Sequence, residues 1–271
     1  MTQLRFRSIW ISDLHLGTRN IQHRQLLDFL NNTYSDYLYL VGDILDLMYA
    51  KRGWHWSRIN DEIVHTIMDR ASNGTKVYYI PGNHDAMLRK FHGESIRNIH
   101  IRNQMVHETV RGQRYLILHG DEFDCVIQNS PWLAYVGSIL YDSLLMMNRW
   151  VNKTCTACGL EYRSFSLWMK HKTKAAVNYI GSFEKAVVKD VQEKKLDGLI
   201  CGHIHDAAIK SFGDILYLNS GDWVESCTAL AENMDGTIGI IDWTKLSNLG
   251  ELPVYETSKD MYSNGCLAPS N

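Results

Sequence analysis

With 271 residues the chain can bury one large core, or one core and a small insert. Hydrophobic residues make up 45% and charged residues 21%, which excludes a disordered chain. Lys and Arg number 28 against 30 Asp and Glu, a net charge of −2, so overall charge excludes a general nucleic-acid binder and any basic site must be local.

Short β-rich runs recur, each ending in a polar cluster. Residues 6–11 lead into Ser12-Asp13-Leu14-His15, residues 37–41 into Gly42-Asp43, and residues 77–80 into Pro81-Gly82-Asn83-His84-Asp85. Between them, Leu26, Leu27 and Leu30 recur at helical spacing, as do Ile63, Ile67 and Met68, which predicts helices over 21–30 and 61–71. Residues 104–110 and 114–118, parted by Arg111-Gly112-Gln113, predict a hairpin whose second run ends at His119-Gly120-Asp121. Residues 125–180 lack a strand signal and read as a helical insert. Residues 198–201 then lead into Gly202-His203-Ile204-His205, and residues 215–218 into Asn219-Ser220-Gly221-Asp222. Strands alternating with helices predict an α/β fold, as a mixed sheet or a two-sheet sandwich, with ligand chemistry beyond the strand ends. The expected organisation is a core of residues 1–124 and 181–271 with a cap of residues 125–180.

Six cysteines in a chain this long are not a disulfide scaffold. The opening Met1-Thr2-Gln3-Leu4-Arg5-Phe6-Arg7 lacks the apolar core of a signal peptide, so a reducing, cytoplasmic setting is expected. The longest apolar stretch, residues 132–147, is interrupted by Asp142 and is too short to span a bilayer, which leaves surface attachment open.

Singly, each polar cluster is an ordinary turn. Together, five of them follow strands, and each offers carboxylate, amide oxygen or imidazole. That donor set suits Mn²⁺, Fe or Zn²⁺ in mixed oxygen–nitrogen sites, whereas a closed structural zinc would call for thiolates. Two such ions about 3.5–4 Å apart can share a carboxylate, activate water at neutral pH and offset the charge that builds on phosphoryl oxygens. A phosphate ester is anionic and repels nucleophiles, so its hydrolysis requires that neutralisation.

Asp13-x-His15, Gly42-Asp43-x-x-Asp46, Gly82-Asn83-His84-Asp85, His119-Gly120-Asp121 and Gly202-His203-x-His205 resemble the five ordered motifs of the calcineurin-like metallophosphoesterases, over roughly residues 8–225. The resemblance implies a two-sheet β-sandwich flanked by helices in αββα layers. It implies that Asp13, His15 and His205 hold one metal ion, that Asp43 bridges two, and that Asn83, His119 and His203 complete the second. His84 would contact the phosphoryl group or protonate the leaving oxygen, with Asp85 orienting its ring. Ser12-Asp13-Leu14-His15-Leu16-Gly17, the insert, and Leu218-Asn219-Ser220-Gly221-Asp222-Trp223-Val224-Glu225 resemble the UDP-2,3-diacylglucosamine pyrophosphohydrolases of lipid A synthesis. That branch implies a nucleotide-lipid substrate cleaved to UMP and a lipid monophosphate, Mn²⁺ as the metal, and a peripheral position at the inner membrane. Those enzymes typically carry Arg where this chain has His84. Two alternatives therefore stay open: a phosphodiesterase or phosphatase for a soluble nucleotide or sugar phosphate, and a non-catalytic binding module built on the same site. A nuclease is disfavoured because no basic stripe is interleaved with aromatics.

Residues 131–151 form an apolar helix pattern with Val136, Ile139, Leu140, Leu144 and Met147 on one face and Tyr135, Leu145 and Met146 on others. It reads either as a helix packed on the rest of the insert or a second subunit, or as a cap wall for acyl chains or a membrane surface. Arg163 and Lys170, seven apart, are the preferred clamp for a pyrophosphate. Cys155-x-x-Cys158 lacks two further ligands nearby and reads as structural. His23, His55, His65, His92, His100, His107 and His171 read as surface or packing residues.

Overall fold

The computed structural model describes residues 4–19, 21–48, 53–124 and 174–249. Its elements run β1 (Leu4–Ile11), α1 (His23–Asn32), β2 (Thr33–Val41), α2 (Arg58–Ser72), β3 (Lys76–Ile80), β4 (Ser95–Ile96), β5 (Ile99–Ile101), β6 (Met105–Glu108), β7 (Arg114–Ile117), α3 (Lys174–Glu193), β8 (Gly198–Cys201), β9 (Ala208–Phe212), β10 (Ile215–Asn219), β11 (Thr228–Glu232), β12 (Ile238–Asp242) and α4 (Trp243–Leu249). The chain divides into two compact units, Met1–Asp121 with Val191–Asn271, and Glu122–Asp190.

The first unit is an α/β sandwich of two mixed sheets. One has seven strands in the order β12-β11-β1-β2-β3-β5-β4, the other five in the order β6-β7-β8-β10-β9. The pairs β1–β2, β2–β3 and β3–β5 are parallel in the first sheet, as are β7–β8 and β8–β10 in the second. Antiparallel strands close the edges. The second halves of β1 and β2, residues 9–11 and 38–41, are unbroken apolar runs because both their faces are buried. Trp10, Tyr39, Val41 and Ile80 meet Tyr115, Ile117, Ile200 and Leu218 between the sheets. The alternate residues Ile9, Ile11, Leu38, Leu40 and Val77 pack outward against Leu26, Phe29 and Leu30 of α1, Ile63 and Ile67 of α2, and Leu246 of α4.

The predicted hairpin over 104–118 is β6–β7, paired from Met105–Ile117 to Glu108–Arg114. The two predicted helices are α1 and α2, which anchor to each other through Arg70. Its Nη2 donates to the carbonyls of Leu30 and Thr33, satisfying main-chain acceptors at the end of α1. In the second unit, Tyr179 donates its hydroxyl to Asp124 Oδ1 at 2.6 Å, and Phe123 meets Phe183 edge to face at 6.3 Å. Residues 125–173 lie outside the described residues, and with them the apolar helix pattern, Cys155, Cys158, Arg163 and Lys170. No helix among the described residues is long and apolar enough to cross a membrane.

Candidate metal centre

The loops that follow β1, β2, β3, β7 and β8 carry the five clusters, and main-chain hydrogen bonds zip them together. Asp13 N–H donates to Gly42 O (3.0 Å), His15 N–H to Asp43 O (2.8 Å), and Gly202 N–H to His119 O (3.2 Å). The carboxylates add to this. Asp43 Oδ1 accepts from His84 N–H (2.8 Å), and Asp13 Oδ2 accepts from His203 N–H (3.1 Å).

The loop conformations are strained. Asp13, His15, Asp43, His203 and His205 sit at φ values of 54°, 49°, 53°, 69° and 50°, in the left-handed region that costs non-glycine residues about 1–3 kcal/mol each. Two glycines make the close packing possible. A Cβ on Gly82 would lie 2.3 Å from Asp43 Oδ1, and one on Gly202 would lie 2.4 Å from Asp13 Oδ2.

Six of the seven residues singled out in the sequence as metal ligands thus converge, with His84 beside them, and Asn83 stands between Gly82 and His84 on the same loop. Asp43 Oδ2 is central, 3.4 Å from His119 Nε2 and 3.9 Å from both His15 Nε2 and His84 Nε2. His205 Nε2 is 3.1 Å from Asp13 Oδ1. The His119 and His203 rings lie 5.1 Å apart, those of His15 and His205 5.4 Å. Asp13, His15 and His205 can place ligand atoms within 4.8 Å of one another, and so can Asp13, Asp43 and His119.

Whether this donor set fits metal ions is decided by the polar atoms left over. His15 binds Asp46 Oδ2 through Nδ1 (3.3 Å), and His119 Nδ1 donates to Val41 O (3.0 Å). Each ring is fixed by one nitrogen, and each Nε2 is buried without a hydrogen-bond partner, as are Asp13 Oδ1 and Asn83 Oδ1. Bare buried nitrogens and oxygens are costly unless something else binds them. Imidazoles oriented through one nitrogen with the other exposed to a shared centre are the arrangement of metal-ligating histidines. The residues fit the ions.

The charges of the metal-free cluster also interlock. Burial would raise Asp13, but neighbouring His205 outweighs it and holds the carboxyl at about 2. Burial would likewise raise Asp43, yet His119, His15 and His84 keep it well below the carboxylate range. For His15 burial opposes the charge, while the bond to Asp46 and the charges of Asp43 and Asp13 raise it to about 9. The Asp13 and Asp43 carboxyls are therefore held ionised, balanced by the charge of the imidazoles around them.

One assignment needs correction. Asp85 does not orient the His84 ring. Its carboxylate is fully buried and turned to the main chain, accepting from Gly82 N–H (2.6 Å), Ile44 N–H (2.9 Å), Leu45 N–H (3.3 Å) and the Tyr79 hydroxyl (2.5 Å). Asp85 thus braces two loops. The ring partner is Asp46, whose Oδ1 lies 3.1 Å from His84 Nδ1 while its other oxygen holds His15. Burial would raise Asp46, but the bonds to His15 and His84 hold it at about 2. The spacing Gly42-Asp43-x-x-Asp46 was the available signal, since a second carboxylate three residues on returns to the same loop. Asn219, the last residue of β10, secures the Gly202 loop by donating Nδ2 to Gly202 O at 2.7 Å.

The chain is similar to several known proteins. The UDP-2,3-diacylglucosamine hydrolase of Wigglesworthia glossinidia brevipalpis is 24% identical over 256 residues, covering 88% of this chain and 95% of that protein. The protein of the same name from Psychromonas ingrahamii is 28% identical over 212 residues, 74% of this chain and 82% of that one. Among solved structures, the E. coli phosphoesterase Yfce aligns over 88% of this chain and 93% of its own at 13% identity, with a TM-score of 0.45. The calcineurin-like phosphoesterase family model matches residues 6–207, and the chain belongs to that family.

Proposed function

We propose that this hydrolase cleaves the pyrophosphate of a UDP-2,3-diacylglucosamine-type nucleotide lipid, releasing UMP and a lipid monophosphate. The reaction class rests on one observation above all, the buried cluster around Asp43 with bare Nε2 atoms on His15 and His119. The substrate is suggested by the relatives, which bear the name UDP-2,3-diacylglucosamine hydrolase. In this reading Asp13, His15 and His205 would hold one divalent ion and Asn83, His119 and His203 the other, with Asp43 available to both; Mn²⁺ is the expected metal, with Fe or Zn²⁺ compatible. Two bound ions supply an activated water at neutral pH and offset phosphoryl charge. Asp46 and the Val41 carbonyl hold His15 and His119 in the orientation that presents Nε2. His84, held at Nδ1 by Asp46, directs Nε2 towards the centre and can pass a proton to the leaving oxygen. A cytoplasmic position at a membrane surface, contact through residues 125–180, and a pyrophosphate clamp by Arg163 and Lys170 belong to the same proposal.

The test is UMP release from UDP-2,3-diacylglucosamine by purified protein with Mn²⁺. Release that stops on chelation is expected; no release with metal present removes this substrate and leaves the reaction class standing.

A specific observation favours the second reading, a soluble phosphodiester. A phosphate leaving group is a weak base and departs without help, whereas an alkoxide needs an acid, and the His84–Asp46 pair at 3.1 Å is built as one. With a diester substrate, His84→Ala is expected to slow an alkyl ester by about 10²–10⁴-fold and an ester with an acidic phenol leaving group far less. Equal losses on both esters would show that His84 is not the acid.

A further inference from the structure

The assigned chemistry makes no use of Arg89, which lies on the 3₁₀ turn Ala86–Phe91 directly after the Asn83-His84-Asp85 cluster. Its Nη2 donates to both oxygens of Asp121, at 2.6 and 2.8 Å, and lies 3.2 Å from Pro81 O. Asp121 stands two residues after His119, and Pro81 two residues before Asn83. One nitrogen therefore ties together the two loops that carry Asn83 and His119.

A solvated ion pair would be the ordinary reading of such a contact and would do little. Three features argue otherwise. The Asp121 side chain is only 11% exposed, and the guanidinium reaches a main-chain carbonyl as well as the carboxylate. The turn that carries Arg89 is itself fixed, because Leu88 N–H donates to Asp85 O (2.9 Å) and the Asp85 carboxylate is bound by four donors. Two peptide units span at most about 7 Å, so a shift of Asp121 or of Pro81 is handed directly to His119 or Asn83. Nothing in this arrangement touches Asp13, His15 or His205 in the same way.

We propose that Arg89 is a positioning residue for the second metal site, fixing the His119 loop against the Asn83 loop through Asp121 and Pro81. The proposal rests on the reading that Asn83 and His119 help to hold that ion. Arg is suited to the task, since its planar guanidinium holds Nη2 in one orientation, whereas Lys would be a point charge on a flexible stem.

The test is calorimetric titration of the metal-free protein with Mn²⁺, with thermal melts confirming that each variant folds. The wild type is expected to take two ions. Arg89→Met should weaken the second binding step tenfold or more and leave the first unchanged, and Arg89→Lys should recover part of the loss. Asp121→Asn should reproduce the defect, and the double variant should be no worse than either single one, because both remove the same tie. Two ions bound by Arg89→Met with wild-type affinities, or single losses that add in the double variant, overturn the proposal while the ligand assignment stands. A wild type that takes up no second ion overturns the assignment and the proposal together.

Discussion

Asp43→Asn is expected to lower kcat by about 10³-fold or more while the protein stays folded. Asn preserves the shape and keeps an oxygen to accept from His84 N–H, so the loops remain joined. What disappears is the negative charge that lies 3.4–3.9 Å from three imidazole nitrogens and, in the proposed centre, between two cations. A loss of about 4 kcal/mol of stabilisation of the charged transition state corresponds to about three orders of magnitude in rate. Initial rates at saturating Mn²⁺, with circular dichroism to confirm folding, check this. Retention of more than a tenth of the activity would mean that Asp43 does not sit between the ions.

The second large effect lies away from the centre, in a charged knot between the two sheets. Glu232 on β11 is wholly buried, and its Oε2 accepts from Arg7 Nη1 (2.7 Å), Ser8 Oγ (2.8 Å) and His107 Nε2 (2.9 Å), while Oε1 accepts from Val110 N–H (3.0 Å). With Nε2 donating, His107 Nδ1 is left to accept from the Tyr39 hydroxyl at 2.8 Å. Arg7, Ser8, Tyr39 and Glu232 belong to the first sheet and His107 to the second, so the knot bolts the sandwich together. Glu232→Ala strands the Arg7 cation and the polar groups around it, and is expected to destabilise the fold by about 3–5 kcal/mol. For a domain of this size that is roughly a 10 °C drop in Tm by thermal unfolding. A fall of under about 2 °C would show that the knot is dispensable.

The same knot carries a pH dependence with a definite sign. Burial would raise the Glu232 carboxyl, but His107, Ser8, the Val110 N–H and Arg7 together lower it below its ordinary 4.5. A depressed acid contributes stability above its unfolded value and loses it as pH falls through the folded one. The wild type should therefore lose stability on acidification below about pH 4.5 more steeply than Glu232→Gln does.

The sequence made the central architecture legible for a definite physical reason. Strands buried on both faces need continuous apolar runs, and each such run had to stop where the chemistry began, so Ile11, Val41 and Ile80 were followed at once by Asp13, Asp43 and Asn83. The five ordered motifs then carried the resemblance to the metallophosphoesterases, which implied the proposed ligand set. The remainder depends on contacts across long separations. His107 and Glu232 are 125 residues apart and neither lies in a motif, so His107 read as packing when it is the hub of the inter-sheet knot. The resemblance implied Asp85 as the partner of the His84 ring, yet the loop turns its carboxylate to the main chain and brings Asp46 to the ring instead. Strands β11 and β12 lie beyond the last of the five motifs and were unmarked, although β11 lies antiparallel beside β1 and supplies Glu232. Two-residue β4 and three-residue β5 are too short for any periodicity to register.

Metal placement around Asp43 is tested most directly by anomalous diffraction at the manganese edge from crystals equilibrated with Mn²⁺. It should show two peaks about 3.5–4 Å apart with the Asp43 carboxylate between them, one beside Asp13, His15 and His205 and the other beside Asn83, His119 and His203. A single peak, or peaks outside this cluster, would contradict that placement.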